Sequence, residues 1–75
     1  MYTILGYTDT ASDTPYLEES ATNDNELECF KISLEMLRRV DHALILSNDD
    51  LENLNDRDYF SVAPYALHIS KGQYA

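Results

Sequence analysis

Carboxylates are the side chains this chain has in number and at regular spacing. Fourteen Asp and Glu stand against five Lys and Arg in 75 residues, a formal charge of -9. All but Glu35 fall in two runs. Asp9, Asp13, Glu18, Glu19, Asp24, Glu26 and Glu28 form the first, with no base among them. Asp41, Asp49, Asp50, Glu52, Asp56 and Asp58 form the second, with only Arg57 inside it. Acids four apart on a helix stand about 5–6 Å from one another, and acids two apart on a strand about 7 Å. Both intervals resemble the spacing of phosphates along a nucleic-acid strand. The chemistry this offers is electrostatic: a folded array of carboxylates can occupy a groove lined with Lys and Arg. Nucleic acid and anionic membrane surfaces are repelled. The plainer reading of the same residues is a solvated face that serves solubility and needs no partner.

Tyrosine is the second feature, six residues with no tryptophan. Its large, rigid and amphipathic ring suits protein interfaces. Tyr2, Tyr7, Tyr59 and Tyr65 fall in or beside expected strands and read as core or sheet-face residues. Tyr16, within the first acidic run, and Tyr74 in the tail are the better contact residues.

Catalytic and metal chemistry find little support. His42 and His68 are too far apart in sequence for a local ligand pair. The spacing predicts that His42 helps end the main helix and that His68 faces solvent. Asp24, Glu26 and Glu28 alternate like the start of a calcium loop, but the glycine and the distal bidentate acid are missing. No glycine-rich phosphate loop or nucleophile elbow occurs, and Gly6 and Gly72 are the only glycines. Cys29 lies among Leu27, Phe30 and Ile32 and reads as a small core residue. Neither an enzyme, a cofactor nor a metal is expected.

The elements that must hold these acids follow from the apolar pattern. Residues 2–7 are rich in aromatic and β-branched side chains and predict a strand. Residues 8–25 read as an acidic loop, with a turn of helix over 16–20 behind Pro15. Leu27, Phe30, Leu34 and Leu37 recur at helical spacing and predict the main helix, about 26–40; Cys29, Ile32, Met36 and Val40 widen its apolar arc, so it is expected to pack on more than one side. Asn23 or Asn25 caps it, and Arg38 and Arg39 close its last turn. Ala43 to Leu46 is a wholly apolar run that suits a strand buried on both faces. A short second helix follows, about 49–56. Tyr65, Leu67 and Ile69 alternate with polar or small residues as a half-buried strand, which Pro64 opens or places at an edge. Residues 71–75 read as a frayed tail.

The expected architecture is α+β: a single small acidic domain over 1–75, with a three-stranded sheet, the main helix on one face and the short second helix. A crossover through the helix would make the first strand and 43–46 parallel. One unpaired cysteine and the lack of an apolar leader point to a reducing cytoplasm. The function this suggests is a small protein-binding inhibitor that covers the basic surface of a nucleic-acid-binding protein, in the manner of phage-encoded anti-defence or anti-CRISPR-like proteins. The rival is an adaptor that binds through an apolar sheet edge near 65–69, which two copies could share as a homodimer.

Overall fold

A computed structural model describes the chain from residue 1 to 70. The elements in order are β1 (Tyr2–Thr8), β2 (Tyr16–Asn23), α1 (Glu26–Met36), β3 (His42–Ser47), α2 (Asn48–Glu52), α3 (Tyr59–Val62), a 3-10 turn over Ala63–Tyr65, and β4 (Leu67–Ser70). The fold is α+β, with four strands in the order β2-β1-β3-β4, and every neighbouring pair is antiparallel. Among the described residues no helix is long and apolar enough to cross a membrane.

β1 and β3 fill the middle of the sheet, and their alternation feeds two cores. Ile4, Ala43, Ile45 and Ile69 point to one face, where Cys29, Met36, Leu37 and Val40 cover them. Leu5, Tyr7, Leu44 and Leu46 point to the other, under Leu51 and Val62. Helical layers on both sides explain why β3 reads as an unbroken apolar run instead of an alternating one. Gly6 lets the end of α1 close onto the sheet: a Cβ there would stand 3.1 Å from Glu19 Cγ and 3.2 Å from Val40 Cγ2.

The sheet corrects the three-stranded expectation. The second half of the supposed acidic loop over 8–25 holds β2, paired with β1 from Tyr2 opposite Asn23 to Thr8 opposite Tyr16. Residues 16–20 are therefore strand and not helix. Because this hairpin reverses the chain before α1, the helical crossover joins β2 to β3, which flank β1 and run parallel to each other. β1 and β3 are antiparallel, contrary to the sequence expectation. Gly6 pairs with Glu19 and Tyr7 with Leu17, so Glu18 is the extra residue of a bulge. That insertion turns Leu17 onto the face where it packs against the second core.

α1 starts where its cap predicts, with the Asn25 side chain accepting from the Glu28 amide. It ends four residues early. The last turn tightens, with Arg38 N bonded to Glu35 O and Arg39 N to Met36 O, and Val40 drops into the core. Arg38 and Arg39 thus lie beyond the helix. Its buried line is Cys29, Ser33 and Met36, so of the expected apolar arc Cys29 and Met36 face the sheet, with Leu37 buried just past the helix end. Ser33 tolerates burial because its hydroxyl donates to Phe30 O at 2.8 Å. Leu27 and Leu34 are left 64% and 43% exposed.

The second helix is confined to Asn48–Glu52, capped by Ser47. Tyr59 to Tyr65 coil into helical turns before a strand of only four residues, and Pro64 sits in the 3-10 turn. The expected tail, 71–75, and Tyr74 lie outside the described residues.

Candidate interaction surfaces

Strand direction sorts the acids. β1 leaves one end of the sheet at Thr8, where β2 begins at Tyr16 and β3 at His42; the opposite end holds Tyr2, Asn23 and Ser47. A seven-residue strand separates the two ends by about 20 Å. Neither sequence run survives as a patch, because each contributes to both ends.

At the first end, three chain segments meet. Asp9 donates its amide to Asp41 Oδ2 at 2.8 Å, and its own Oδ1 lies 2.9 Å from His42 Nε2. A carboxylate only accepts, so the ring proton belongs on Nε2. That leaves His42 Nδ1 buried without a partner. Tyr59 packs edge-on to Tyr7 at 5.3 Å and lies 5.2 Å from the His42 ring. Its hydroxyl shares a 3.0 Å hydrogen bond with His68 Nε2. His68 is exposed, as expected, with this nitrogen engaged by Tyr59, and partial burial of its ring, then the nearby His42, holds it below the ordinary imidazole value. His42 opens β3 and does not close α1.

The buried Tyr7 hydroxyl donates to Arg57 O and fixes the 56–58 turn against this end. Burial, then the charge of Asp58 and more weakly Asp56, pushes the Tyr7 phenol up to about 12, with Arg57 opposing. The Asp56 carboxylate accepts the Asp58 amide. Asp9, Asp41, Asp56 and Asp58 thus surround one tyrosine–histidine cluster. Beside it a groove of about 420 Å³ runs between the 10–17 segment and Arg57–Asp58, walled by Tyr7 and the 61%-exposed Tyr16. Asp13 belongs to the same 9–15 connection.

At the opposite end stand Asp24, Glu26 and Glu28, which lead into α1, and Asp49, Asp50 and Glu52 on α2. The Met1 amino group lies 3.8 Å from Asp24, while Met1 O accepts from Asn48 N, so the α2 acids stand on the other side of the same residue. Both helices therefore present acid-rich first turns at this end.

Glu19 and Glu35 are matched to bases along one flank of α1. Arg39 reaches Glu19 at 2.8 Å and Glu35 at 3.3 Å; its hydrogen bonds hold the Glu19 carboxyl below the usual range. Arg38 pairs with Glu35 and Lys31 with Glu28. Glu18, projected outward by the bulge, is exposed on the β2 edge strand. Three of the four described bases are thus gathered beside α1, leaving Arg57 among the acids of the first end.

Of the residues singled out in the sequence, Asp9, Asp13, Tyr16, Asp56 and Asp58 come together at one end, and Asp24, Glu26, Glu28, Asp49, Asp50 and Glu52 at the other. Glu19 turns into an ion pair. Sequence reasoning missed Tyr7, His42 and Tyr59 as the frame of the first cluster; no spacing signal connects them, since β-pairing joins Tyr7 to His42 and the packing of α3 brings Tyr59 onto both rings. Among the described residues no group of three His, Cys, Asp or Glu could hold a metal ion. Comparison with protein families, with characterised proteins and with solved structures finds no match to this chain.

Proposed function

We propose that this protein is a binding inhibitor that seats its anionic ends on the basic surface of a nucleic-acid-handling protein. One observation carries the reading: residues from both acidic runs are re-sorted into two anionic poles about 20 Å apart, while Arg38 and Arg39 pair with Glu35 and Glu19 away from them and Lys31 meets only Glu28 of the second pole. A mere solubilising charge needs no such segregation. Long-range attraction would steer the encounter, and desolvated contacts around Tyr16 and its groove would slow dissociation. A phage anti-defence or anti-CRISPR-like inhibitor is one setting in which such a surface would work. The protein would compete with nucleic acid for the partner and would bind neither nucleic acid nor membrane directly.

The test begins with the immobilised protein in a bacterial lysate at low and at high salt, with captured proteins identified and then competed with nucleic acid. The expected result is a basic nucleic-acid-binding protein that salt releases and nucleic acid displaces. Two double variants then address the poles separately, Asp56→Lys with Asp58→Lys and Asp49→Lys with Glu52→Lys. Each should slow association at low salt by about tenfold or more while the circular dichroism stays unchanged. Unchanged affinity and unchanged salt dependence in both would overturn the proposal.

A further inference from the structure

The groove at the first end has one wall from the 10–17 segment and the other from Arg57 and Asp58. On the first wall the hydroxyls are turned on one another: Thr10 Oγ1 lies 2.7 Å from Ser12 Oγ and 3.2 Å from Thr14 O. What this wall shows a guest is Tyr16, largely exposed, between the half-buried Pro15 and Leu17. On the second wall the Asp58 carboxylate caps no amide of α3 and forms no ion pair among the described residues. An open ring and an open carboxylate thus share one groove.

Arg57 and Asp58 oppose each other in charge, so the sign of the local field decides the guest. Tyr7, which lines the groove, reports that sign. Beyond the effect of burial, its phenol is raised more by Asp58 than it is lowered by Arg57, and Asp56 adds to the rise. The field is therefore negative, and Asp9, Asp13 and Asp41 stand at the same end. Such a field draws in a cation and disfavours an anion. A ring beside a carboxylate then selects among cations. A guanidinium stacks on aromatic faces, forks onto a carboxylate and sheds water more readily than an ammonium. Pro15 and Leu17 offer apolar contact to its aliphatic stem. The groove is open and small beside ligand pockets, which suits a side chain carried on another surface better than a free metabolite.

We infer that this groove is a subsite for an arginine side chain of a basic partner protein, its guanidinium seated on the Tyr16 ring and forked onto the Asp58 carboxylate. The inference deepens the inhibitor reading and rests on it for the partner, naming the side chain that the first pole receives. Arg57 is the discordant member. Its backbone carbonyl holds Tyr7, but its own guanidinium is a like charge on the same wall and weakens the subsite.

NMR titration of the isotope-labelled protein with the capped amides of arginine, lysine and citrulline, at low and constant ionic strength, reads the subsite without any partner. Its failure would leave the inhibitor reading standing, because the lysate capture tests that separately. Arginine amide should shift the Tyr16, Leu17 and Asp58 amides saturably, in the low millimolar range. Lysine amide should bind several-fold more weakly, and the uncharged citrulline amide should not bind. Asp58→Asn and Tyr16→Ala should each weaken arginine about two- to fivefold with unchanged circular dichroism, while Tyr16→Phe retains it. Arg57→Gln should tighten it about twofold. The absence of a saturable shift overturns the proposal. So does equal binding of lysine and arginine, weakening by Arg57→Gln, or a response of the same amides to inorganic phosphate.

Discussion

Replacing Tyr7 by Phe separates the work of one hydroxyl from the work of its ring. The ring is fully buried and packs edge-on to Tyr59, and Phe keeps both properties. What goes is the hydrogen bond to Arg57 O, which ties the 56–58 turn to the end of the sheet. A neutral hydrogen bond with a partly buried acceptor is worth about 1 to 1.5 kcal/mol. For a domain of this size that lowers Tm by roughly 5–10 °C at neutral pH. Alkaline solution reverses the order. The folded phenol ionises only near 12, held neutral first by burial and then by Asp58, against 10.0 for the free group. The unfolded chain therefore releases its proton first, and stability present below pH 10 is lost as pH rises through 12. Two pH units correspond to about 2–3 kcal/mol, roughly half of it gone near pH 11, where the wild-type and Tyr7→Phe stability curves should cross. Urea unfolding followed by circular dichroism across the alkaline range gives both curves. If they run parallel, or if the variant is as stable as wild type at neutral pH, the placement of this hydroxyl is wrong.

Gly6→Ala should destabilise the fold by about 1–3 kcal/mol in thermal or urea melts, because the new methyl meets Glu19 and Val40 inside 3.3 Å. Leu51→Ala removes the buried side chain of α2 and should cost about 2–4 kcal/mol in the same assay. Arg39→Gln should let the Glu19 carboxyl rise toward its ordinary value, read by NMR titration; the wild-type contribution is present above that value and fades as pH falls through the depressed one. His68, held below the ordinary 6.5, favours the folded state above that pH and loses its contribution as pH falls further. His68→Gln should accordingly flatten the acid arm of the stability profile.

What the sequence made legible was set by local chemistry. Tyr2 to Tyr7 and Ala43 to Leu46 carry strand chemistry strong enough to survive without context. Asn25 announces the helix start by the residue type and the acids behind it. β2 was illegible because Glu18, Glu19, Ser20 and Thr22 have no strand pattern of their own; they are extended because β1 offers them a ladder. The helix was legible in part. Its apolar arc holds both Leu27, Phe30, Leu34 and Leu37 and the residues Cys29 and Met36, and only the sheet decides that Cys29, Ser33 and Met36, whose smaller or flexible side chains permit close approach, form the line against it. The site was legible only as a charge total. Which acids share a pole depends on the reversal of the chain in the β1–β2 hairpin, and no count along the sequence contains it.

The Glu18 bulge has a consequence for how this chain avoids its own kind. β2 ends the sheet with unpaired backbone groups, a surface on which foreign chains could polymerise into fibrils. The inserted glutamate interrupts that ladder, and every copy presents the same carboxylate at the same height, so stacking would set like charges in a column. At this edge, contacts between molecules are thereby pushed away from the main chain and onto side chains, where shape and sign can be discriminated.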